Sequence, residues 1–151
     1  MAHRVEIQVE RPWGRLVKKA WLKEIVLTLL EAEKVGGRVT VGVLLTGDET
    51  IQALNRSYRG RDEVTDVLSF PLEPESFPTP PGQLPYLGEV AISVPQAKRQ
   101  AEEAGHSLDQ EVAHLLVHGL LHILGYDHEE EEDAQRMEAK EAEILNLLPR
   151  T

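Results

Sequence analysis

Apolar and polar residues alternate at the start of the chain, where Val5, Ile7 and Val9 are separated by polar side chains, and this two-residue period predicts a half-buried strand. After Pro12 the period lengthens: Leu22, Ile25, Val26, Leu29 and Leu30 make a helical stripe predicted to run to about Lys34, with Gly36 and Gly37 as its stop. Alternation returns over 38–46, with Val39, Val41, Val43 and Leu45 on one face of a second strand. Thr46 and Glu49 have the spacing of a capping box, which predicts a helix with Ile51, Leu54 and Tyr58 facing inward and Gly60 as its end. A short strand is expected over 66–70. The stretch 71–88 carries six of the nine prolines and is expected to be a loop. A fourth strand over 87–93 leads through Pro95 into an alanine-rich helix that stops at Gly105. Ser107 and Gln110 then repeat the capping-box spacing, Asp109 and Glu111 place acids in the first turn, and Gly125 supplies the stop. The last helix, about 130–148, has Ala134, Met137, Ile144, Leu145 and Leu148 as its apolar stripe beneath an acidic outer face. Four strands among about five helices predict an α+β fold, read as a single domain over 1–151.

A chain of 151 residues with 41% hydrophobic and 28% charged residues is long enough to bury a core and has the composition of a globular domain. It contains no cysteine, so disulfides and thiolate chemistry are excluded and any metal must rest on histidine or carboxylate. No apolar run reaches a bilayer span and the amino terminus lacks a signal-peptide core. The reading is a cytoplasmic protein with no membrane partner. A net charge of −10 argues at first against nucleic acid. Residues 127–143, however, hold nine acids against two bases, −7 of that total, and leave −3 for the rest. Basic residues gather at Arg11, Arg15, Lys18, Lys19 and Lys23, and again at Arg56, Arg59 and Arg61, so an RNA site is compatible with the overall charge.

The stretch HLLVHGLLHILGYDH, 114–128, holds four of the six histidines. Residues four apart on a helix lie on one face about 6 Å apart along the axis, so His118 and His122 can present two imidazoles to one ion. Gly125 permits a turn that returns His128 toward them. Three neutral imidazoles leave a tetrahedral ion with one open position, the arrangement of catalytic zinc. Nickel and copper suit the same donors. His114 lies one turn earlier and faces the same general side. Its distance along the axis weighs against a share in the ion with His128, and it is assigned to the substrate cleft, with simple packing or metal ligation as the alternatives. Asp127 is a candidate acceptor that would orient a ligand imidazole. Zinc peptidases of this spacing carry a glutamate directly after the first histidine as general base, and here that position is Gly119. Two readings of Gly119 follow: close helix packing, which we favour, or room beside the ion for a nucleotide.

The run HGLLHILGYDH, 118–128, resembles the signature of the YbeY family of bacterial rRNA maturation factors. LNRSYRGRDEVTDVLSFP at 54–71 and LGEVAIS at 87–93 resemble two further blocks of that family, so the likeness covers most of the chain. It implies a mixed sheet with a zincin-like metal helix beneath it and a zinc ion on His118, His122 and His128. It further implies a single-strand-specific endoribonuclease that trims the 3′ end of small-subunit rRNA and serves ribosome quality control. Its partners would be rRNA, the small subunit and assembly factors, with no DNA expected. The family's functionally important arginine falls on Arg59.

Chemistry gives Arg59 a role, because a tri-histidine site keeps the full metal charge while the anionic oxygens developing at phosphorus still need a cation, and a planar guanidinium meets two of them. Arg59 is therefore the catalytic candidate, with Arg61 beside it and His114 for substrate binding; complementing a helix dipole is the alternative for the arginines. Glu63, Asp66, Glu89 and Asp127 stand as candidate bases with nothing to choose among them. Two rivals remain: a ribosome-assembly or RNA-binding factor whose metal is structural, and a metallopeptidase, against which Gly119 argues.

Overall fold

The four alternating segments pair into one sheet in the order β1-β2-β4-β3, where β1 is Arg4–Val9, β2 Thr40–Thr46, β3 Val67–Pro71 and β4 Tyr86–Ser93. The structure is a computed structural model that describes residues 3–71, 86–126 and 129–148. β1, β2 and β4 run parallel, while β3 pairs antiparallel with β4 and forms an edge. Parallel neighbours need a crossover. Helix α1 (Lys19–Ala32) supplies one between β1 and β2, and α2 (Asp48–Arg59) followed by β3 lies between β2 and β4. Helices α3 (Val94–Ala104), α4 (Leu108–Ile123) and α5 (Glu131–Leu147) complete the α+β fold that the sequence led us to expect.

Neighbouring side chains of a strand point to opposite faces, and on β3 this separates the helices. Ser69 turns toward α4, where its Oγ donates to the carbonyl of Gly119 at 2.8 Å. Phe70 turns the other way and packs against Tyr58 of α2, with ring centroids 4.6 Å apart and planes tilted by 52°. The sheet therefore lies between α2 on one side and α4 on the other. The main core joins Leu22, Ile25, Val26 and Leu29 of α1 to Val41, Val43 and Leu45 of β2, Val90 and Ile92 of β4, and Leu116, Leu120 and Leu121 of α4. Under α2 a smaller cluster gathers Ile51, Leu68 and Ala91.

Several boundaries differ from the sequence expectation. Residues Trp13–Arg15 form a separate 3₁₀ turn, and α1 starts only after Lys18. Its stop is Lys34, in the left-handed region at φ 52°, with the Val35 N–H closing on the Leu30 carbonyl. That wide closing bond ends the helix before Gly36 and Gly37 are reached. Thr46 does not cap α2. It pairs with Ser93 as the last residue of β2, and Gly47 takes the cap position instead. Tyr58, expected inside, is 69% exposed, at the last turn of α2 with its ring against Phe70. Pro71 closes β3, where an edge strand tolerates a missing N–H, and β4 begins one residue early at Tyr86. The rest of the expected loop, 72–85, lies outside the described residues.

Helix α4 is fixed at its start by local chemistry. Ser107 Oγ accepts from the Gln110 N–H at 3.1 Å, and the Gln110 side-chain oxygen accepts from the Ser107 N–H at 2.9 Å, so both halves of the capping box form. Asp109 and Glu111 add acids to the first turn. At the far end Gly125 stands at φ +101°, a value that side-chain-bearing residues rarely adopt. The phase of every residue on this helix is thereby set from both ends.

Candidate metal centre

Helix phase brings His118 and His122 side by side, with ring centroids 4.7 Å apart and planes at 80°. His114 follows one turn back, its ring centroid 6.5 Å from that of His118. His128 and Asp127 lie outside the described residues. Among the described residues no third histidine or acid completes a metal-binding group. The donors present are imidazoles on one face of one helix, which suit zinc, nickel or copper better than a hard cation.

His114 and His118 share a carboxylate that the sequence reading did not single out. Glu141 of α5 is buried, and its Oε1 lies 2.6 Å from Nδ1 of His118 while its Oε2 lies 3.2 Å from Nε2 of His114. Burial works to raise the pKa of this carboxyl, but the hydrogen bonds from His114 and His118 outweigh it and bring it down to about 2. In return the hydrogen bond to Glu141 raises the pKa of His114, against the effect of burial and with help from the charges of Glu141, Glu111 and Asp66. A signal for Glu141 existed in the sequence. It stands in helical phase with Met137 and Ile144, so an acid interrupts the buried stripe of α5.

Gly119 is resolved by its surroundings. A Cβ there would come within 2.8 Å of Val90 Cγ1 and 3.0 Å of Ser69 Oγ. The position faces the sheet, so the packing reading holds, and a glutamate could not occupy it without displacing β3 or β4.

Arg59 and Arg61 sit elsewhere. Arg59, exposed at the last turn of α2, lines a cavity of about 810 Å³ with Tyr58, Phe70, Tyr86 and Glu89, and among the described residues no histidine lines that cavity. Since α2 and α4 lie on opposite faces of the sheet, Arg59 and the histidines are separated by β3 and β4. They share one end of it, however. A Cβ on Gly88 would touch Ile123 of α4 as well as the Phe70 carbonyl, so the end of α4 lies over the same strand ends that Tyr58 covers from the other side. Arg61 forms a loose, exposed ion pair with Glu63 at 4.0 Å. Three of the four candidate bases have other hydrogen-bond or ion-pair partners, although the charge of Asp66 still acts on His114. Glu63 meets Arg61, Asp66 accepts from the Val67 N–H and from Gln100 Nε2, and Glu89 accepts from the Tyr86 hydroxyl.

Comparisons with known proteins agree in direction. The sequence model of the family described as "Endoribonuclease YbeY" matches residues 8–149. An "Endoribonuclease YbeY" of Roseiflexus sp. (strain RS-1) is 46% identical over 147 residues, covering 95% of this chain and 92% of that one. One from Persephonella marina is 44% identical over 135 residues, covering 89% and 86%. Among solved structures, the solution structure of TM1509 from Thermotoga maritima superposes with a TM-score of 0.62 at 28% identity, over 95% of this chain and 88% of that one. No helix among the described residues is long and apolar enough to cross a membrane.

Proposed function

The chain belongs to the endoribonuclease YbeY family, and from that premise we propose that it is a metal-dependent endoribonuclease that cuts single-stranded RNA during maturation of the small-subunit rRNA and in ribosome quality control. The observation that carries this reading is the pair His118 and His122, set together on α4 and backed by a buried carboxylate. His118, His122 and His128 would hold one zinc ion, or nickel in its place. When bound, such an ion supplies Lewis-acid charge and makes hydroxide accessible near neutral pH. The protein's own contributions are orientation and charge. Glu141 holds His114 at the mouth of the site, where the half-exposed ring can meet the substrate. Arg59 at the end of α2 holds phosphate across the strand end, with Arg61 following just beyond the helix. A strand of RNA that passes round the β3 edge reaches both faces, which a stiff duplex does less readily. This is the proposed basis of single-strand preference. Ribosomal small-subunit components and assembly factors are the proposed partners in a cytoplasmic setting.

Peptide hydrolysis is disfavoured because position 119 packs on Val90 and offers no side chain as general base. The test is to strip the purified protein with a chelator and then restore zinc, following cleavage of a defined single-stranded RNA, its duplex form and an unstructured protein. The reading expects loss and recovery of single-strand cleavage, with the duplex and the protein left intact. If stripping unfolds the chain and zinc-loaded protein cuts no RNA, the metal is structural and the reading fails.

A further inference from the structure

We propose that Glu141 is the positioning residue of this metal centre: its buried carboxylate fixes the tautomer and ring orientation of His118, and the same carboxylate holds His114 in register beside it. The inference rests on the metal reading above and goes beyond it, since it assigns a role on α5 to a residue outside the histidine helix.

Glu141 is an exception on its own helix. The acids of the first turn, Glu131, Glu132 and Asp133, are turned outward or lie at its margin, whereas Glu141 is 7% exposed between Met137 and Ile144. A carboxylate taken out of water is costly unless it is paired and hydrogen-bonded. Among the described residues both of its oxygens are met by imidazoles and by nothing else: Oε1 by Nδ1 of His118 at 2.6 Å, Oε2 by Nε2 of His114 at 3.2 Å. If the only task were to join α5 to α4, an apolar side chain at this phase would do it without that cost, as Met137 and Ile144 already do.

The geometry has a chemical consequence. An acceptor at Nδ1 holds the proton there, so His118 coordinates through Nε2 with its ring angle already set. A carboxylate acceptor also makes the ligating nitrogen more electron-rich. Such partners of metal-bound histidines are worth about 10–100-fold in metal affinity. Because His114 shares the carboxylate, any shift of Glu141 moves both rings. The ligand and its neighbour at the mouth therefore behave as one unit.

The experiment uses the full chain as wild type, Glu141→Leu and Glu141→Gln. Zinc affinity is measured by competition with a chromophoric chelator, the thermal midpoint of each metal-free protein is recorded, and the His118 tautomer is read by nitrogen-15 NMR of the metal-free protein across a pH series, from its neutral-ring limit. Positioning predicts that Glu141→Leu loses about 10–100-fold in zinc affinity, with its midpoint close to wild type and the His118 proton moved from Nδ1 to Nε2. Glu141→Gln, whose amide oxygen can still accept from Nδ1, is expected to recover most of the affinity. Zinc affinity in Glu141→Leu within about twofold of wild type, against the 10–100-fold expected, overturns the proposal and leaves Glu141 as a tie between helices. An unchanged tautomer overturns it as well. A wild type that binds no zinc overturns the metal reading itself, an outcome distinct from the first.

Discussion

Substituting Gly119 by alanine sets two known effects against each other on α4. Alanine is the better helix former by about 1 kcal/mol, so on an exposed face the change would stabilise. At this position the new Cβ would meet Val90 Cγ1 at 2.8 Å and Ser69 Oγ at 3.0 Å, where ordinary contact begins at 3.4 Å. Val90 is fully buried and β-branched, so its χ1 is restricted and it has little room to retreat. Overpacking of this kind costs about 1–3 kcal/mol, which leaves Gly119→Ala destabilised by up to about 2 kcal/mol, at roughly 2–4 °C of melting temperature per kcal/mol for a chain of this size. The sign should depend on the neighbour. In a Val90→Ala background the shortest contact is gone and only the 3.0 Å approach to Ser69 Oγ is left against the helix gain, so the same Gly119→Ala step should become neutral or stabilising by at most about 1 kcal/mol. Urea denaturation of the four proteins measures this. Equal effects in the two backgrounds, within about 0.5 kcal/mol, would refute the packing argument. So would a Gly119→Ala protein of full stability that no longer binds RNA, since that result assigns the space to a nucleotide.

Other consequences are more direct. Alanine at His118, His122 or His128 should each abolish stoichiometric metal in the purified protein, as measured by elemental analysis; three variants that keep one metal per chain would remove the tri-histidine centre. Arg59→Ala should weaken RNA binding, reduce the salt dependence of log K by about one phosphate contact, and leave metal content and melting unchanged. The Asp48 carboxylate accepts from Ser93 Oγ at 2.7 Å and from Arg99 at 2.9 Å, and although burial acts to raise its pKa, these partners bring it below 3.8. A lowered folded-state value contributes stability above the unfolded value and loses it as pH falls through the folded one. Asp48→Asn should therefore cost less than about 1 kcal/mol near neutrality, the Arg99 side chain being half exposed. In urea melts at several pH values, the gap from wild type should close below about pH 3.8.

Much of this fold could be read locally. Ser107 and Gln110 announce the start of α4, Gly60, Gly105 and Gly125 mark stops, and the alternation of Val5, Ile7 and Val9 survives as the half-buried face of β1. What stayed hidden depends on tertiary neighbours. Thr46 has the spacing of a cap, but pairing with Ser93 claims it for the sheet. Tyr58 has the phase of a buried residue, yet it is left exposed at the end of α2 with its ring against Phe70. Glu141 reads as one more acid in a charged tail until the packing of α5 on α4 places it between two imidazoles. The spacing of His118 and His122 was legible because a single helix sets it. The relation of Arg59 to them was not, since a sheet stands between their helices and only the strand ends bring them to a common edge.

The central claim joins a histidine-held metal on one face of the sheet to an arginine on the other in cutting single-stranded RNA. Cleavage of one defined RNA, single-stranded and as a duplex, by wild type, His118→Ala and Arg59→Ala proteins from identical purifications tests it most directly. Wild type should cut the single strand, His118→Ala should lack both metal and activity, and Arg59→Ala should keep its metal but lose cleavage. Equal cleavage by all three proteins would contradict it and assign the activity to a contaminating nuclease.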